Sequence, residues 1–264
     1  MDLTGKVAIV TGASAGIGRA YALALAQKGA TVVAAARRLG GVEDNPPNAN
    51  TLSALVKASE KFTGRIHARV CDMGSEADVV ALVEHTAINF GRIDVLVNNA
   101  AILGKLDTFK ISAEMFDRYM LTNVRGPYVA IRQAAPHMMR QRSGSIINIT
   151  AAVGNMTPKT NYPGYLVYGI SKAALNRMSY YMAAELKPYN VAVNCLSPGV
   201  VASESALKMN PQVATSGTHK PATPEVLGPA LVYLAGQTAE TITGQWLHTD
   251  EFQKTWPAPV GHQP

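Results

Sequence analysis

Val7-Ala8-Ile9-Val10-Thr11-Gly12-Ala13-Ser14-Ala15-Gly16-Ile17-Gly18 carries the reading of the fold. Four apolar residues without polar alternation read as a strand buried on both faces, the kind found in parallel sheets. The strand runs straight into a turn with three glycines, and a helical pattern follows. Glycine lets the backbone turn tightly and approach a pyrophosphate closely, and the N-terminus of the next helix meets that negative charge. The glycines Gly12, Gly16 and Gly18 are spaced G-x3-G-x-G, which departs from the G-x-G-x-x-G usual in dinucleotide folds.

The strand-then-helix rhythm continues outward from this turn. Val/Ile/Ala-rich runs stand at Val7–Val10, Thr31–Ala36, Ile66–Cys71, Val95–Asn98, Ser145–Ile149, Val191–Leu196 and Gln245–His248. Segments of helical period lie between most of them. One starts at Ser75 with Asp78 three residues on, a capping-box arrangement, and puts Val79, Leu82, Val83, Ala87 and Phe90 on one face. Such alternation predicts an α/β fold: a doubly wound parallel sheet of about seven strands with helices on both faces. One domain is expected over residues 1–254, followed by a proline-rich tail at 255–264 that is weakly ordered unless it docks. Three loops follow strands and so are expected to frame a ligand crevice at the strands' carboxyl ends: Leu39–Asn50, Asn155–Tyr165 and Ala202–Ala222.

Composition narrows the class. A chain of 264 residues with 47% hydrophobic and 16% charged residues can bury an ample core and is too apolar for disorder. No apolar run approaches the roughly 18 residues that would span a membrane. The opening Met1–Lys6 and the short apolar stretch behind it do not read as a signal peptide, so a cytoplasmic protein is expected. Cys71 and Cys195, at the ends of apolar strands, are expected as buried reduced thiols. The six histidines show no metal-ligand spacing, and no metal is expected. The net charge of +6 is spread along the chain without a nucleic-acid motif, so neither nucleic acid nor membrane is an expected partner.

The turn TGASAGIG resembles the nucleotide-binding turn of the short-chain dehydrogenase/reductase family, and further motifs follow in the family's order. Asp72, in Cys71-Asp72-Met73, matches its adenine-contacting Asp; Asn98-Asn99-Ala100-Ala101 matches its N-N-A-G segment. Asn123 matches its catalytic Asn, Tyr168-Gly169-Ile170-Ser171-Lys172 its Y-x-x-x-K, and Pro198-Gly199 with Ser203 its P-G-x-x-x-T. The resemblance implies a Rossmann-like sheet, a nicotinamide cofactor and hydride transfer between it and a ketone or secondary alcohol. It also implies that Tyr168 acts as acid/base, that Lys172 bonds the nicotinamide ribose, and that Asn123 helps a proton relay. The cofactor set so implied is Gly12, Ser14, Gly16, Ile17, Gly18, Arg37, Arg38, Asp72, Met73, Asn98, Ala100, Tyr168, Lys172, Pro198, Gly199, Val201 and Ser203. Relatives pair through helices corresponding here to Tyr119–Met139 and Leu166–Leu186, so a homodimer or homotetramer is implied.

The second strand bears on which cofactor is used. NAD-specific folds place a carboxylate at its end, against the free 2′-hydroxyl. Here the strand ends Ala34-Ala35-Ala36-Arg37-Arg38, and alignment with the family puts Ala36 at the acid position. Alanine makes room for a 2′-phosphate and the following guanidinium groups can pair with it, which favours NADP(H). Tyr168 and Lys172, four apart on a helix, share a face. The ammonium is expected to favour the phenolate of a group whose ordinary pKa is about 10.

One departure from the family concerns its catalytic serine, whose position falls on Ala151. Thr150 next to it is expected to point the other way, as successive strand side chains do. The longer loop that follows brings Asn155, Tyr162 and Tyr165 as candidates for the missing donor. Tyr162 and Tyr165 with Met209 and Trp246 also hint at an apolar substrate pocket. A cofactor-binding protein with little turnover, or a non-redox epimerising enzyme on the same scaffold, remain the alternatives. Thr249-Asp250-Glu251-Phe252 stands where relatives have D-G-G, a second departure.

Overall fold

A computed structural model of the chain describes residues 1–40, 50–155, 162–203, 207 and 222–257. Seven strands form one parallel sheet: β1 (Val7–Thr11), β2 (Thr31–Ala36), β3 (Arg65–Val70), β4 (Val95–Asn98), β5 (Gly144–Ile149), β6 (Val191–Ser197) and β7 (Trp246–His248). Their order is β3-β2-β1-β4-β5-β6-β7. The chain winds outward from β1 in one direction, returns, and winds outward from β4 in the other. Strand ends diverge at that reversal, and a crevice opens between β1 and β4.

Alternation within each strand feeds two cores. Ala8, Val10, Val32, Ala34, Val95 and Val97 face one side, where α1 (Gly16–Gln27), α2 (Leu52–Ser59) and α7 (Gly228–Ala235) pack. Ile9, Val33, Ala35, Leu96 and Ile146 face the other, against α3 (Glu76–Phe90), α5 (Gly126–Gln141) and α6 (Leu166–Leu186). Both faces being covered explains why the strands read as unbroken apolar runs. The remaining helix, α4 (Ala113–Met120), precedes α5 and joins it through a π-helical turn, Leu121–Arg125.

Half of the capping box predicted for α3 forms: the Ser75 side chain accepts from the Asp78 N–H. The Asp78 carboxylate, however, accepts from the Ser75 hydroxyl (2.9 Å) and the Asp72 N–H (3.0 Å), while the Ser75 N–H donates to Asp72 O. Both cysteines are free and buried. Among the described residues no helix is long and apolar enough to cross a membrane.

The domain boundary expected at residue 254 is too early. Trp256 is 6% exposed and belongs to the core, with its indole N–H donating to His248 O at 2.9 Å. Its ring centroid lies 4.9 Å from that of Phe252 and 6.4 Å from that of Tyr233. A large apolar ring outweighs the local proline-rich composition, so the segment docks beside β7. Residues 258–264 lie outside the described residues. Truncating a buried Trp removes apolar contact and leaves a cavity, so Trp256→Ala is expected to lower the unfolding free energy by about 3–5 kcal/mol. Urea titration measures this as a lower midpoint at unchanged slope; a loss under about 1 kcal/mol would mean that the ring merely drapes over the domain.

Candidate active site

The glycine turn is held open by its neighbour across the crevice. Asn99, just past β4, donates its side-chain N–H to Thr11 O at 2.9 Å and to Gly12 O at 3.2 Å. The Thr11 hydroxyl accepts from the N–H of Asn99 (3.0 Å) and of Ala100 (3.1 Å). Gly12 and Gly16 have φ of +66° and +53°, the left-handed region that glycine enters without strain. A Cβ at Gly18 would stand 2.3 Å from Gly12 O and 2.4 Å from the Asn99 side chain, so no other residue fits there.

This turn aims the N-terminus of α1 into a cleft of about 1340 Å³. The residue capping α1, Ala15, has no side chain to satisfy the first N–H groups, and the first turn holds no acidic residue. Unsatisfied amides with the positive end of a helix dipole suit a phosphate anion. The glycine cradle and this uncapped helix start therefore fit a pyrophosphate-bearing cofactor. Gly12, Ser14, Gly16, Ile17 and Gly18 line the cleft, as do Arg37, Arg38, Asp72, Met73, Ala100, Pro198 and Ser203. Ala36, 9% exposed, ends β2 at its wall, with both arginines exposed beyond it.

Several expected contacts lie elsewhere. Asn98 is turned into the interior, donating to Asn148 Oδ1 at 2.8 Å, and Asn99 takes the place at the cleft. Neighbouring residues at a strand's end point to opposite sides, which a motif match does not resolve. Gly199 makes a left-handed turn against His248, and Val201 buries its side chain in the core; neither lines the cleft. Asn155 and Tyr165 do not line it either, and Tyr162 is 55% exposed. Trp246 is partly buried on β7 away from the cleft, while Met209 lies outside the described residues. Arg118, Leu121 and Thr122 line the cleft unforeseen. Their nearness in sequence to Asn123 was the available signal.

Tyr168 and Lys172 open onto the same cleft. Lys172 is 2% exposed; its ammonium donates to Ile149 O at 2.7 Å and stands 5.6 Å from the centre of the Tyr168 ring. Gly154 allows this approach, because a Cβ there would come within 2.7 Å of Lys172 Cβ. Asn123, fully buried on the π-helical turn, accepts from Ile102 N–H at 2.7 Å and donates to Ile102 O at 2.9 Å and Ser171 Oγ at 3.0 Å. It locks the loop after β4 to α6 and does not itself line the cleft. A π-turn at such a place is a frequent mark of a functional site.

The electrostatics differ from the expectation of a phenolate held by its lysine. Burial pushes the Tyr168 phenol well above its ordinary 10, with Tyr119 and Tyr165 adding to the rise. Burial also brings Lys172 down to about 8. In a low-dielectric pocket each charged form is disfavoured on its own account, and the 5.6 Å separation leaves their mutual help smaller than that cost. Ala151 carries only a methyl group and does not line the cleft, whereas Thr150, expected to point away, does line it; the Thr150 hydroxyl donates to Asn176 Oδ1 on α6.

Between pH of about 8 and 10.5 the unfolded chain holds a Lys172 proton that the folded protein has released. Stability contributed through this group therefore rises with pH across that window. Lys172→Met is expected to remove the rise, so that the two unfolding free energies, plotted against pH, diverge between 8 and 10 in the wild type's favour. Parallel curves would reject burial of the ammonium as the cause.

The family model for short chain dehydrogenases matches residues 6–214. The 3-oxoacyl-[acyl-carrier-protein] reductase FabG of Thermotoga maritima is 32% identical over 256 residues, 95% of this chain and 98% of that protein. Nodulation protein G of a Rhizobium species is 32% identical over 254 residues, 94% of this chain and 97% of that protein. Among solved structures, a short-chain type dehydrogenase/reductase from Mycobacterium marinum superposes with a TM-score of 0.81 at 30% identity, covering 94% of each chain. A Beutenbergia cavernae protein, provisionally described as an NAD(P) dependent gluconate 5-dehydrogenase and carrying NADP at low occupancy, superposes with a TM-score of 0.80 at 28% identity, covering 94% of this chain and 96% of that one. With its sheet order, its glycine cradle and its Tyr168–Lys172 pair in agreement, the chain belongs to the short-chain dehydrogenase/reductase family of NAD(P)-dependent oxidoreductases.

Proposed function

We propose that this protein is an NADP(H)-dependent oxidoreductase that interconverts a ketone and a secondary alcohol, with Tyr168 as the acid/base. One observation carries the reading: Tyr168 and Lys172 open onto the same cleft as the uncapped start of α1 and the Arg37–Arg38 pair. Phosphate recognition and proton transfer thus share one space. When bound, the nicotinamide cofactor supplies or accepts the hydride. The chain's own residues do the rest. Gly12, Ser14 and Gly16 offer the cradle, Arg37 and Arg38 pair with a 2′-phosphate, and Asp72 at the end of β3 meets the adenine. Lys172 is placed to hold the ribose.

Reduction of a ketone adds a hydride to carbon and a proton to oxygen. A phenol that burial keeps protonated arrives in the state that this direction requires. The class of substrate is supported by the names of two relatives, a 3-oxoacyl reductase and a gluconate 5-dehydrogenase, both of which imply a carbonyl or secondary alcohol. Association into a homodimer or homotetramer through α5 and α6 belongs to the same proposal; the exposed Tyr128, Tyr180 and Tyr181 on these helices favour it.

Two charge-assisted contacts exceed the ~1.4 kcal/mol that a tenfold preference requires. NADPH is therefore expected to bind at least tenfold more tightly than NADH in fluorescence titrations, and Ala36→Asp to reverse the order; equal affinities in the wild type would overturn the assignment. With NADPH and the ketones acetoacetyl-coenzyme A, ethyl acetoacetate and cyclohexanone, Tyr168→Phe is expected to lose ~10²-fold or more in turnover while keeping cofactor affinity. Retention of more than about a tenth of the rate would reject Tyr168 as the proton donor. Absence of NADPH oxidation by the wild type on all three ketones would count against the reaction itself.

A further inference from the structure

Lys172 owes its place beside Tyr168 to a carbonyl on another element. The side chain leaves α6, and its ammonium donates to Ile149 O, at the end of β5, at 2.7 Å. An ammonium on a flexible four-carbon stem holds one position only as firmly as the group that it bonds. The peptide between Ile149 and Thr150 therefore bears on where the charge sits.

That peptide is fixed from two sides. On the sheet side, the Thr150 N–H donates to Leu196 O at 2.9 Å. On the helix side, the Thr150 hydroxyl bonds Asn176 Oδ1, and Asn176 Nδ2 donates to Gly154 O at 3.2 Å. The chain of bonds has only one possible sense. Gly154 O can only accept, so the amide nitrogen of Asn176 faces it and the amide oxygen faces Thr150. The Thr150 hydroxyl is then the donor, and its proton points to α6. Although Thr150 lines the cleft, that proton is not offered to a substrate.

Asn176 is out of keeping with its surroundings. It lies one turn beyond Lys172 on the same face of α6 and is 6% exposed. Asparagine weakens a helix interior, and a buried amide is costly unless its ends are bonded. The buried serines of this helix, Ser171 and Ser179, donate to carbonyls of α6 itself, Tyr168 O and Leu175 O. Asn176 instead spends both ends of its amide on the segment that follows β5. Lys172 and Asn176 thus grip that segment together, one at Ile149 and the other at Thr150 and Gly154.

We propose that Thr150 and Asn176 are positioning residues for Lys172: their bond holds the Ile149 carbonyl in the orientation that keeps the ammonium beside the Tyr168 ring. Neither residue bonds the reacting atoms. The inference rests on reading the cleft as the site of ketone reduction, and it gives the hydroxyl next to Ala151 a task other than bonding substrate.

The test compares Thr150→Val, Thr150→Ser and the double variant Thr150→Val/Asn176→Leu with the wild type, and uses Lys172→Met and Tyr168→Phe as controls. Thr150→Val removes the hydroxyl at nearly constant shape and strands the Asn176 oxygen, so the thermal midpoint is expected to fall. The double variant replaces both partners by apolar groups and is expected to regain most of that stability. Lys172 is followed in the cofactor-free protein by NMR of lysine labelled with carbon-13 at Cε, and Lys172→Met assigns the signal. Its titration midpoint is expected at about 8 in the wild type. The Cys195 thiol, pushed up to about 11 by burial, and the Tyr168 phenol, higher still, titrate above it. A loosened carbonyl favours the ammonium less, so in both valine variants the lysine is expected to titrate lower by about half a pH unit or more. With NADPH and the three ketones above, kcat in both is expected to fall about tenfold or more, with KM for the ketone little changed. The alkaline limb of the pH profile moves down with the lysine. Thr150→Ser, which retains the donor, is expected to rescue most of the rate and the wild-type midpoint. Unchanged lysine midpoints in both valine variants, or a rate that returns along with stability in the double variant, would overturn the inference. If Tyr168→Phe is as active as the wild type, or the wild type oxidises NADPH with none of the ketones, the reading of the cleft fails instead. The lysine titration still decides the positioning in that case, so the two failures are distinguishable.

Discussion

Everything at the functional end depends on the clamp between the β1 turn and the end of β4. Asn99 and Ala100 donate four hydrogen bonds to Thr11 and Gly12 across the point where the sheet reverses its winding. The clamp leaves so little room that Gly18 cannot carry a Cβ without striking Gly12 O or Asn99. A chain held this tightly can only leave the turn in one direction, and that direction points the first amides of α1 into the crevice. Phosphate recognition is thus a consequence of backbone geometry. The charged side chains Arg37 and Arg38 line the same cleft just beyond the end of β2.

Burial is the second constraint, and it acts on the reacting pair in a way that simple charge pairing does not anticipate. The turn after β5 packs against α6 through Gly154, and Lys172 is drawn inward to the Ile149 carbonyl. Removing both side chains from water holds the phenol protonated and weakens the lysine's hold on its proton. A modest fall in pH below about 8 therefore restores the lysine's charge, while the phenol stays protonated throughout the neutral range.

The third element is the π-helical turn between α4 and α5. It displaces Asn123 from the register of a regular helix and commits all of its side-chain hydrogen bonds to Ile102 and Ser171. The loop after β4 and the start of α6 are thereby held at a fixed distance. Ile102, Leu121 and Tyr168, from three separate stretches of chain, then line one cleft, although no motif in the sequence unites them.

Seven apolar runs and the turn at Gly12–Gly18 were enough to determine the sheet, its parallel sense and the end at which the cleft opens, because strand burial and glycine conformation are local properties. Strand limits moved by one residue at most. The motif residues Gly12, Arg37, Asp72, Tyr168 and Lys172 were legible for the same reason, each being tied to a recognisable local pattern. What the linear pattern could not decide was where side chains point once elements pack. Asn98 and Asn99 are adjacent, and only the pleat of β4 against β5 sends the first inward to Asn148 and the second to the cleft. Trp256 sits in a tail whose composition reads as loose, and only the proximity of Phe252, Tyr233 and His248 turns it into core. Tyr119 occupies an unremarkable place on an amphipathic helix until Gly104, 15 residues earlier, is found to make room for its hydroxyl. Such facts belong to packing: they depend on distances between segments far apart in the chain, and those distances exist only when the whole domain has closed.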